Sequence, residues 1–341
     1  MHNFKYLFLL FTLFSGCICN PSDGYEYFTG RLPEEPQNFE LINSAHNDYN
    51  MVSPVIHNEV YLLFSSDRES QGQNFDLVGG NYFFEWSRSE GTLRTGEVSG
   101  EYWNQYTFLM RRINTEGNEY GPLSYQIDAY DSPTELPNDF LLFSSDTSGR
   151  QDIYLSYRHY EQGHETDSAV NVPLTGINSE ADDMYPTFFG HDNDFRIAQD
   201  ENTAEEMYFC SNRDGNFDIY KIDIPENTGL SQFLLSGNKK NAVPLSFNSN
   251  ADDKCPFIIK DVLLFVSDRE NSYGGYDIYY CLREGDEWSE PENLGPKINT
   301  EYNEYRPISI NFLDYENDPV LFSSDRPGGL GGYDLYYAGT D

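Results

Sequence analysis

The sequence ends with Leu321-Phe322-Ser323-Ser324-Asp325-Arg326, a glycine-rich turn, and Gly332-Tyr333-Asp334-Leu335-Tyr336-Tyr337. This order indicates an apolar strand, a polar corner, a flexible turn and a second, aromatic strand. Four earlier copies keep the same order, and they begin at Phe64, Phe143, Phe209 and Phe265. A β-rich unit that is repeated five times along a chain is typical of a radial array of small sheets.

Each copy carries acids at two fixed places, the polar corner and the first position of the aromatic strand. Asn212 replaces the corner acid in the third copy. A residue needed in every unit serves the unit, so we interpret these carboxylates as acceptors for the backbone of their own turns. The residues with this predicted structural role are Asp67, Asp76, Asp146, Asp152, Asp218, Asp268, Asp277, Asp325 and Asp334.

A second repeated signal precedes each unit: an Asn, an Asn or Asp four residues later, and an acid at the fifth position. Its copies are Asn43/Asn47/Asp48, Asn114/Asn118/Glu119, Asn178/Asp182/Asp183, Asn248/Asp252/Asp253 and Asn299/Asn303/Glu304. In four copies a proline follows shortly afterwards, and it is expected to begin an extended inner strand. Both acidic signals should lie on one rim of the array.

The acidic rim raises the question of a bound metal. Hard cations such as calcium take carboxylate and carbonyl oxygens as ligands. No copy has the spacing of an EF-hand loop, so no cofactor is predicted and calcium stays possible. The weak candidates for metal ligands are Asp182, Asp183, Asp252, Asp253 and Glu304.

The predicted fold is all-β: a five-bladed β-propeller of four-stranded antiparallel blades, with six blades as the alternative. Aromatic residues make up 16% of the chain, which favours strands. The segment from Pro36 to Leu41 resembles Pro291–Leu294, which should be an outer strand. No inner strands of a blade precede the first segment, and the last unit has inner strands but no outer strand after them. We therefore expect the N-terminal strand to complete the last blade and close the ring.

The formal charge is −36, from 57 acidic and 21 basic residues, and this argues against nucleic acid as a partner. Residues 1–16 are predicted to be a signal peptide. Leu13-Phe14-Ser15-Gly16-Cys17 resembles a bacterial lipobox, so Cys17 is the expected lipid attachment site, with simple secretion as the alternative. Residues 17–30 would then be a tether and 31–341 the propeller. The expected location is the bacterial cell envelope, on the periplasmic or cell-surface face of the outer membrane.

The repeated Phe-x-Ser-Asp-Arg, glycine turn and Asp-Ile-Tyr resemble the TolB-type branch of WD-like β-propellers, over roughly Leu32 to Asp341. That resemblance implies an envelope protein that binds other proteins. Residues expected to line the channel, among them His57, include no Asp or Glu, which argues against hydrolysis. The prediction is therefore a non-enzymatic scaffold lipoprotein with an envelope protein as partner.

The alternative is a glycan-binding or glycan-processing propeller that uses its acidic rim loops. Two segments, Ser87 to Tyr106 and Tyr157 to Ala169, break the repeat and are expected to be loop insertions. A partner would be expected to bind there. The candidate residues in them are Arg88, Arg94, Trp103, His159 and His164.

Overall fold

The computed structural model describes residues 30–53, 59–87, 90, 92–98, 109–110, 112–126, 139–161, 164–190, 204–309 and 315–340. For residues 59–60, 125–126, 139, 158–161 and 164–168 it describes the backbone alone. The signal peptide, the tether and Cys17 precede these ranges, so the lipid anchor remains a prediction. None of the helices in the described part of the chain has the length and apolarity that crossing a bilayer would require.

The described residues form five antiparallel sheets with almost no helix, as predicted. Blade 1 contains β2 (Asp48–Val52), β3 (Glu59–Ser66), β4 (Asp76–Ser87) and β5 (Thr92–Glu97). Blade 2 contains β6 (Glu119–Gln126), β7 (Asp139–Ser145), β8 (Asp152–Glu161) and β9 (His164–Pro173). Blade 3 contains β10 (Asp183–Phe189), β11 (Glu206–Ser211), β12 (Asp218–Asp223) and β13 (Val243–Pro244), with the helix α1 (Leu230–Leu235) before its last strand.

Blade 4 has two short outer strands in place of one. It contains β14 (Asp253–Ile259), β15 (Val262–Ser267), β16 (Asp277–Glu284), β17 (Glu287–Trp288) and β18 (Glu292–Asn293), the last two both pairing with β16. Blade 5 contains β19 (Glu304–Ser309), β20 (Asp318–Ser324), β21 (Asp334–Thr340) and β1 (Gln37–Asn38). The first strand of each blade contacts that of the next around a complete ring. The protein is a five-bladed β-propeller.

The N-terminal strand closes the ring as the sequence predicted. Strand β1 pairs with β21 in the register Gln37 to Tyr337. The Phe39 ring then packs against Tyr337 and against Phe84 of blade 1, with centroids 4.6 and 5.1 Å apart. Asn43, which follows β1, also bonds to β21. Its side chain accepts from the Leu335 N–H at 2.8 Å and donates to the Leu335 carbonyl at 3.0 Å. Closure therefore combines strand pairing with aromatic packing across two blades.

The second strands are buried on both faces because each blade is covered by two neighbours. In β15, Leu263, Phe265 and Val266 are fully buried and Leu264 is 5% exposed. Phe265 stacks on Tyr279 of the third strand at 5.8 Å between centroids, and blades 2, 3 and 5 repeat this pair. The continuous apolar run in the sequence reflects this two-sided burial.

A bulge interrupts the first strand of every blade two residues after its buried acid. The residues there have positive φ: Asn50, Gly121, Tyr185, Cys255 and Arg306. In four blades the proline comes next, inside the strand, so the expectation that proline begins the strand is wrong. The bulge removes that position from the hydrogen-bonded ladder, and proline needs no partner there.

The described parts of the two segments expected to be loop insertions contain strands of the outer blade edges. Strand β5 lies within residues 87–106 and forms the outer edge of blade 1. Residues 157–169 contain the end of β8 and the start of β9, which pair with each other as an extended hairpin. Outer strands meet solvent on one edge, so their sequences need not alternate apolar and polar residues, and this explains the error.

Candidate functional site

The acids that begin the first strands are fully buried and bonded within their own blades. They are Asp48, Glu119, Asp183, Asp253 and Glu304. Four of them pair with the arginine of the polar corner; Arg269 lies 2.6 Å from Asp253, for example. Blade 2 has Thr147 instead of arginine, and Glu119 accepts from Ser145 at 3.1 Å and Thr115 at 2.7 Å. Burial raises the pKa of Glu119 and of Glu304.

The metal candidates Asp183, Asp253 and Glu304 use their carboxylate oxygens in these bonds. Asp183, for example, accepts from Arg213 with one oxygen and from Ser179 with the other. Within the described ranges, no group of three or more His, Cys, Asp or Glu side chains could hold a metal ion. These acids therefore hold the corners of their blades in place.

A second ring of polar pairs joins the loop before each first strand to the corner acid. In blade 1, Asn47 donates to Asp67 from its backbone at 2.8 Å and from its amide at 2.7 Å. Blades 2 and 5 repeat this arrangement, and blade 3 reverses it, with Asn212 facing Asp182. Four blades thus hold one amide and one carboxylate in each pair.

Blade 4 is the exception, because both members of its pair are acids. The Asp252 N–H still donates to Asp268 at 2.9 Å, but no amide of the described residues covers the second Asp268 oxygen. Asp268 is exposed, whereas Asp67 of blade 1 is buried. Asp252 accepts from the Phe217 N–H at 3.0 Å and the Tyr276 hydroxyl at 2.9 Å. Two carboxylates therefore stand side by side at this rim.

The acids that begin the third strands bond to the turns before them. Asp277 accepts from the Tyr273 N–H at 2.7 Å, Asp334 from the Leu330 N–H, and Asp152 from the Ser148 hydroxyl at 2.6 Å. Asp218 accepts more weakly from Asn216 at 3.2 Å. Asp76 is paired through its backbone with Ser66. Burial raises the pKa of Asp76, Asp218 and Asp334.

Aromatic rings surround the axis on the same rim, and we call this surface the channel mouth. Tyr49, Tyr120 and Tyr305 follow the buried acids of blades 1, 2 and 5, where blades 3 and 4 have Met184 and Lys254. The third strands begin beside Phe75, Phe217, Tyr276 and Tyr333. Neighbouring rings are 4.9 to 6.4 Å apart between centroids. Burial raises the pKa of Tyr120 and Tyr333 to about 12, so these phenols are neutral donors at pH 7.

The axis is filled beneath the channel mouth by the side chains of the bulges. Arg306 is fully buried and donates to the carbonyls of Pro256 at 3.2 Å and Pro122 at 3.4 Å. Its guanidinium lies 5.3 Å from the centroid of Tyr185, whose hydroxyl accepts from Asn50. A Cβ on Gly121 would lie 2.2 Å from the Tyr185 ring, so this position has no room for a side chain. The channel mouth therefore has a closed, polar floor.

Among the described residues that were predicted to bind a partner, three lie on outer parts of their blades. Arg94 lies on β5 and pairs with Glu90 at 2.7 Å. His159 and His164 lie on β8 and β9, the outer strands of blade 2. Arg88, Trp103 and the channel residue His57 fall outside the described residues. The sequence contains the unusual pair of blade 4, but its repeats predict a metal ligand at Asp252 and a turn acceptor at Asp268.

Neither a family model nor a curated protein matches this chain. Solved structures do match: a GH62 hydrolase in complex with xylotriose is 10% identical, with a TM-score of 0.49, over 93% of this chain and 99% of that one. An α-L-arabinofuranosidase from Podospora anserina in complex with cellotriose is 12% identical, with a TM-score of 0.48, over 92% and 98%. A putative glycoside hydrolase from Bacteroides ovatus is 10% identical, with a TM-score of 0.46, over 93% and 94%.

These matches correct three expectations. The structures found are glycoside hydrolases and not TolB-type proteins, so the TolB-type resemblance is wrong. The non-enzymatic scaffold and the absence of enzymatic activity were inferred with it, and both are overturned by the same finding. At identities this low the likeness extends to the fold alone. Any activity of this chain has to be argued from its own residues.

Proposed function

We propose that the protein is a glycoside hydrolase whose glycan binds at the channel mouth beside blade 4. Asp252 and Asp268 would be its catalytic carboxylates. The observation that carries the proposal is the exception in the ring of pairs: among the described blades, this one has two acids where the others have an acid and an amide. Hydrolysis of a glycosidic bond requires two carboxyl groups, one as acid and one as base or nucleophile.

The surroundings assign different roles to the two groups. Asp252 accepts a backbone N–H and a phenol, and the Lys254 ammonium lies 3.9 Å away. These contacts hold the Asp252 carboxylate in place, which suits a base or nucleophile. Asp268 is exposed and has an uncovered oxygen. That oxygen is open to the glycosidic oxygen of a bound sugar, which suits the acid that protonates the leaving group.

The aromatic rings beside this pair supply a binding surface. The Phe217 N–H and the Tyr276 hydroxyl are bonded to Asp252 itself, so both rings stand next to the carboxylates. Glycan sites combine apolar platforms with a few polar groups that fix orientation. The half-buried rings of Phe217 and Tyr276 provide the platform, and the Tyr276 hydroxyl provides a polar group. The closed floor below keeps a ligand at the level of the acids.

The test is hydrolysis of neutral and acidic plant polysaccharides, measured by release of reducing sugar. We expect the intact chain to degrade at least one of arabinan, arabinoxylan, galactan and polygalacturonate. Asp252→Asn and Asp268→Asn should each lower kcat by about a thousandfold, because each removes a catalytic carboxylate. Both variants should fold, because an amide occupies one of these two places in each of the other four blades.

The matched control is Asp146→Asn, which removes an acid from the corresponding pair of blade 2. It should leave kcat within about twofold of the wild type, since blade 2 contributes no acid to the reaction. Full activity in both blade 4 variants would contradict the assignment of the carboxylates. Failure to degrade any of the four polysaccharides would contradict the proposed class of reaction.

A further inference from the structure

We infer that the glycan bound at the channel mouth is acidic and that Lys254 binds a sugar carboxylate. This inference rests on the proposed function, because it concerns the same site. It extends the proposal from a reaction class to a class of substrate: polysaccharides that contain uronic acids.

Lys254 occupies a place that does not require a cation. The corresponding residue is Tyr49, Tyr120, Met184 or Tyr305 in the other blades. Those side chains pack among the rings of the channel mouth, and a lysine stem could do the same with less favourable burial. The Lys254 side chain is only 15% exposed, and its ammonium lies 4.1 Å from the centroid of Phe217 and 5.5 Å from that of Tyr276. A charge at this buried position is costly for the fold, which indicates that the Lys254 ammonium serves to bind a ligand.

The ammonium keeps hydrogen-bonding capacity for a ligand. The corner arginines lie within 2.9 Å of their buried acids, which occupies them in the blade framework. Lys254 has one carboxylate within ion-pair distance among the described residues, Asp252, and that contact is 3.9 Å long. An ammonium has three donors. A contact of this length leaves them available for an oxygen atom at the channel mouth.

Arg306 adds a second positive charge at the axis. It is fully buried, and no carboxylate lies within ion-pair distance of it among the residues that the structure describes. Arg306 donates to the carbonyl of Pro256, which lies two residues after Lys254 in β14, so the two cations lie in one neighbourhood. The surrounding phenols are neutral at pH 7. A molecule of net charge −36 therefore concentrates two cations beside its proposed site.

A uronic acid fits this arrangement better than a neutral sugar. It differs from the neutral sugar by a carboxylate in place of a hydroxymethyl group. That carboxylate can accept a charge-assisted hydrogen bond from Lys254, while the sugar ring packs on the Tyr276 and Phe217 rings. The glycosidic oxygen can then lie over Asp268. Lys254 is a residue that determines specificity, while the acids perform the reaction.

The experiment compares two ligands that differ only in this group. Binding of polygalacturonate oligosaccharides and of the same oligosaccharides after carboxyl reduction is measured by calorimetry with the full chain. We expect the wild type to bind the acidic ligand about tenfold more tightly, the range of one charge-assisted hydrogen bond. Lys254→Met should reduce that preference to about one. Methionine is the residue of blade 3 at this place, so the variant should fold.

Lys260→Gln, in the hairpin between β14 and β15, is the control for loss of a positive charge elsewhere, and it should keep the tenfold preference. Equal binding of the two ligands by the wild type, or a preference that survives in Lys254→Met, would overturn the inference. Degradation of neutral arabinan or galactan without binding of polygalacturonate would overturn it too and leave the proposed function standing. Absence of binding and degradation with every glycan would overturn both.

Discussion

Blades 3 and 4 share one framework and differ at the channel mouth. Both bury an aspartate at the start of the first strand and pair it with a corner arginine, Asp183 with Arg213 and Asp253 with Arg269. Around this common part blade 3 has Asn212 and Met184, where blade 4 has Asp268 and Lys254. The comparison separates residues that maintain the blade from residues that are free to serve a ligand. Three experiments test that separation.

The largest effect is expected from the shared framework. Asp253→Ala removes an acceptor of the Ser249 N–H and of Arg269, both at 2.6 Å, and leaves the arginine without a counter-charge. Breaking a buried pair in this way costs about 3 to 5 kcal/mol of unfolding free energy. Asp183→Ala should cost the same in blade 3. Urea denaturation at pH 7 measures both losses.

The control for removal of an acid is Asp223→Ala at the end of β12, where the side chain is 78% exposed. That change should stay within about 0.5 kcal/mol, as surface substitutions do. A much smaller loss for Asp253→Ala than for Asp183→Ala would mean that blade 4 does not use the common framework, and the comparison would fail.

A smaller effect of opposite sign is expected from exchanging the variable pair. Asp268→Asn gives blade 4 the pair of blade 3, where Asn212 donates to Asp182 at 3.1 Å. One added hydrogen bond and one fewer facing charge should raise the unfolding free energy by about 1 kcal/mol. Asn212→Asp should lower it by a similar amount. Equal stability of all three proteins in urea would show that the paired acids of blade 4 carry no cost to the fold.

The ring of blades was predictable because its signals are repeated and local. The Ser-Asp-Arg corner marks the end of each second strand, and the match between residues 36–41 and 291–294 located the closing strand β1. The bulges were not predictable, because tyrosine, cysteine and arginine have no preference for the positive φ seen at Tyr185, Cys255 and Arg306. The long outer strands of blades 1 and 2 were missed because solvent-exposed edges need no apolar alternation.

The candidate site was harder to predict than the fold because it depends on contacts between two repeated acidic signals that lie apart in the sequence. Asp252 and Asp268 are visible in the sequence, but only the structure shows that the two signals face each other in every blade. Once that pairing is known, the sequence alone identifies blade 4 as the one with two acids. The error about catalysis arose from placing the channel residues after the proline, whereas the residues of the channel mouth precede it.

The smallest structural effect is expected from Tyr276→Phe, which gives blade 4 the phenylalanine that blade 3 has at Phe217. Burial, together with its bond to Asp252, raises the pKa of Tyr276, so the phenol stays protonated and donates throughout the range of an enzyme assay. Removing this donor should change the unfolding free energy by less than about 1 kcal/mol, because the oxygen it served is within reach of water.

The effect of Tyr276→Phe on catalysis should exceed its effect on stability. The Asp252 carboxylate loses one of its two hydrogen bonds, so the proposed base is held less firmly in position. The value of kcat/KM should therefore fall several-fold. Tyr279→Phe removes a phenol from the same strand that bonds to Ser272 instead, and its kcat/KM should match the wild type. An unchanged kcat/KM in Tyr276→Phe would remove Asp252 from the role of base while leaving the architecture of the mouth intact.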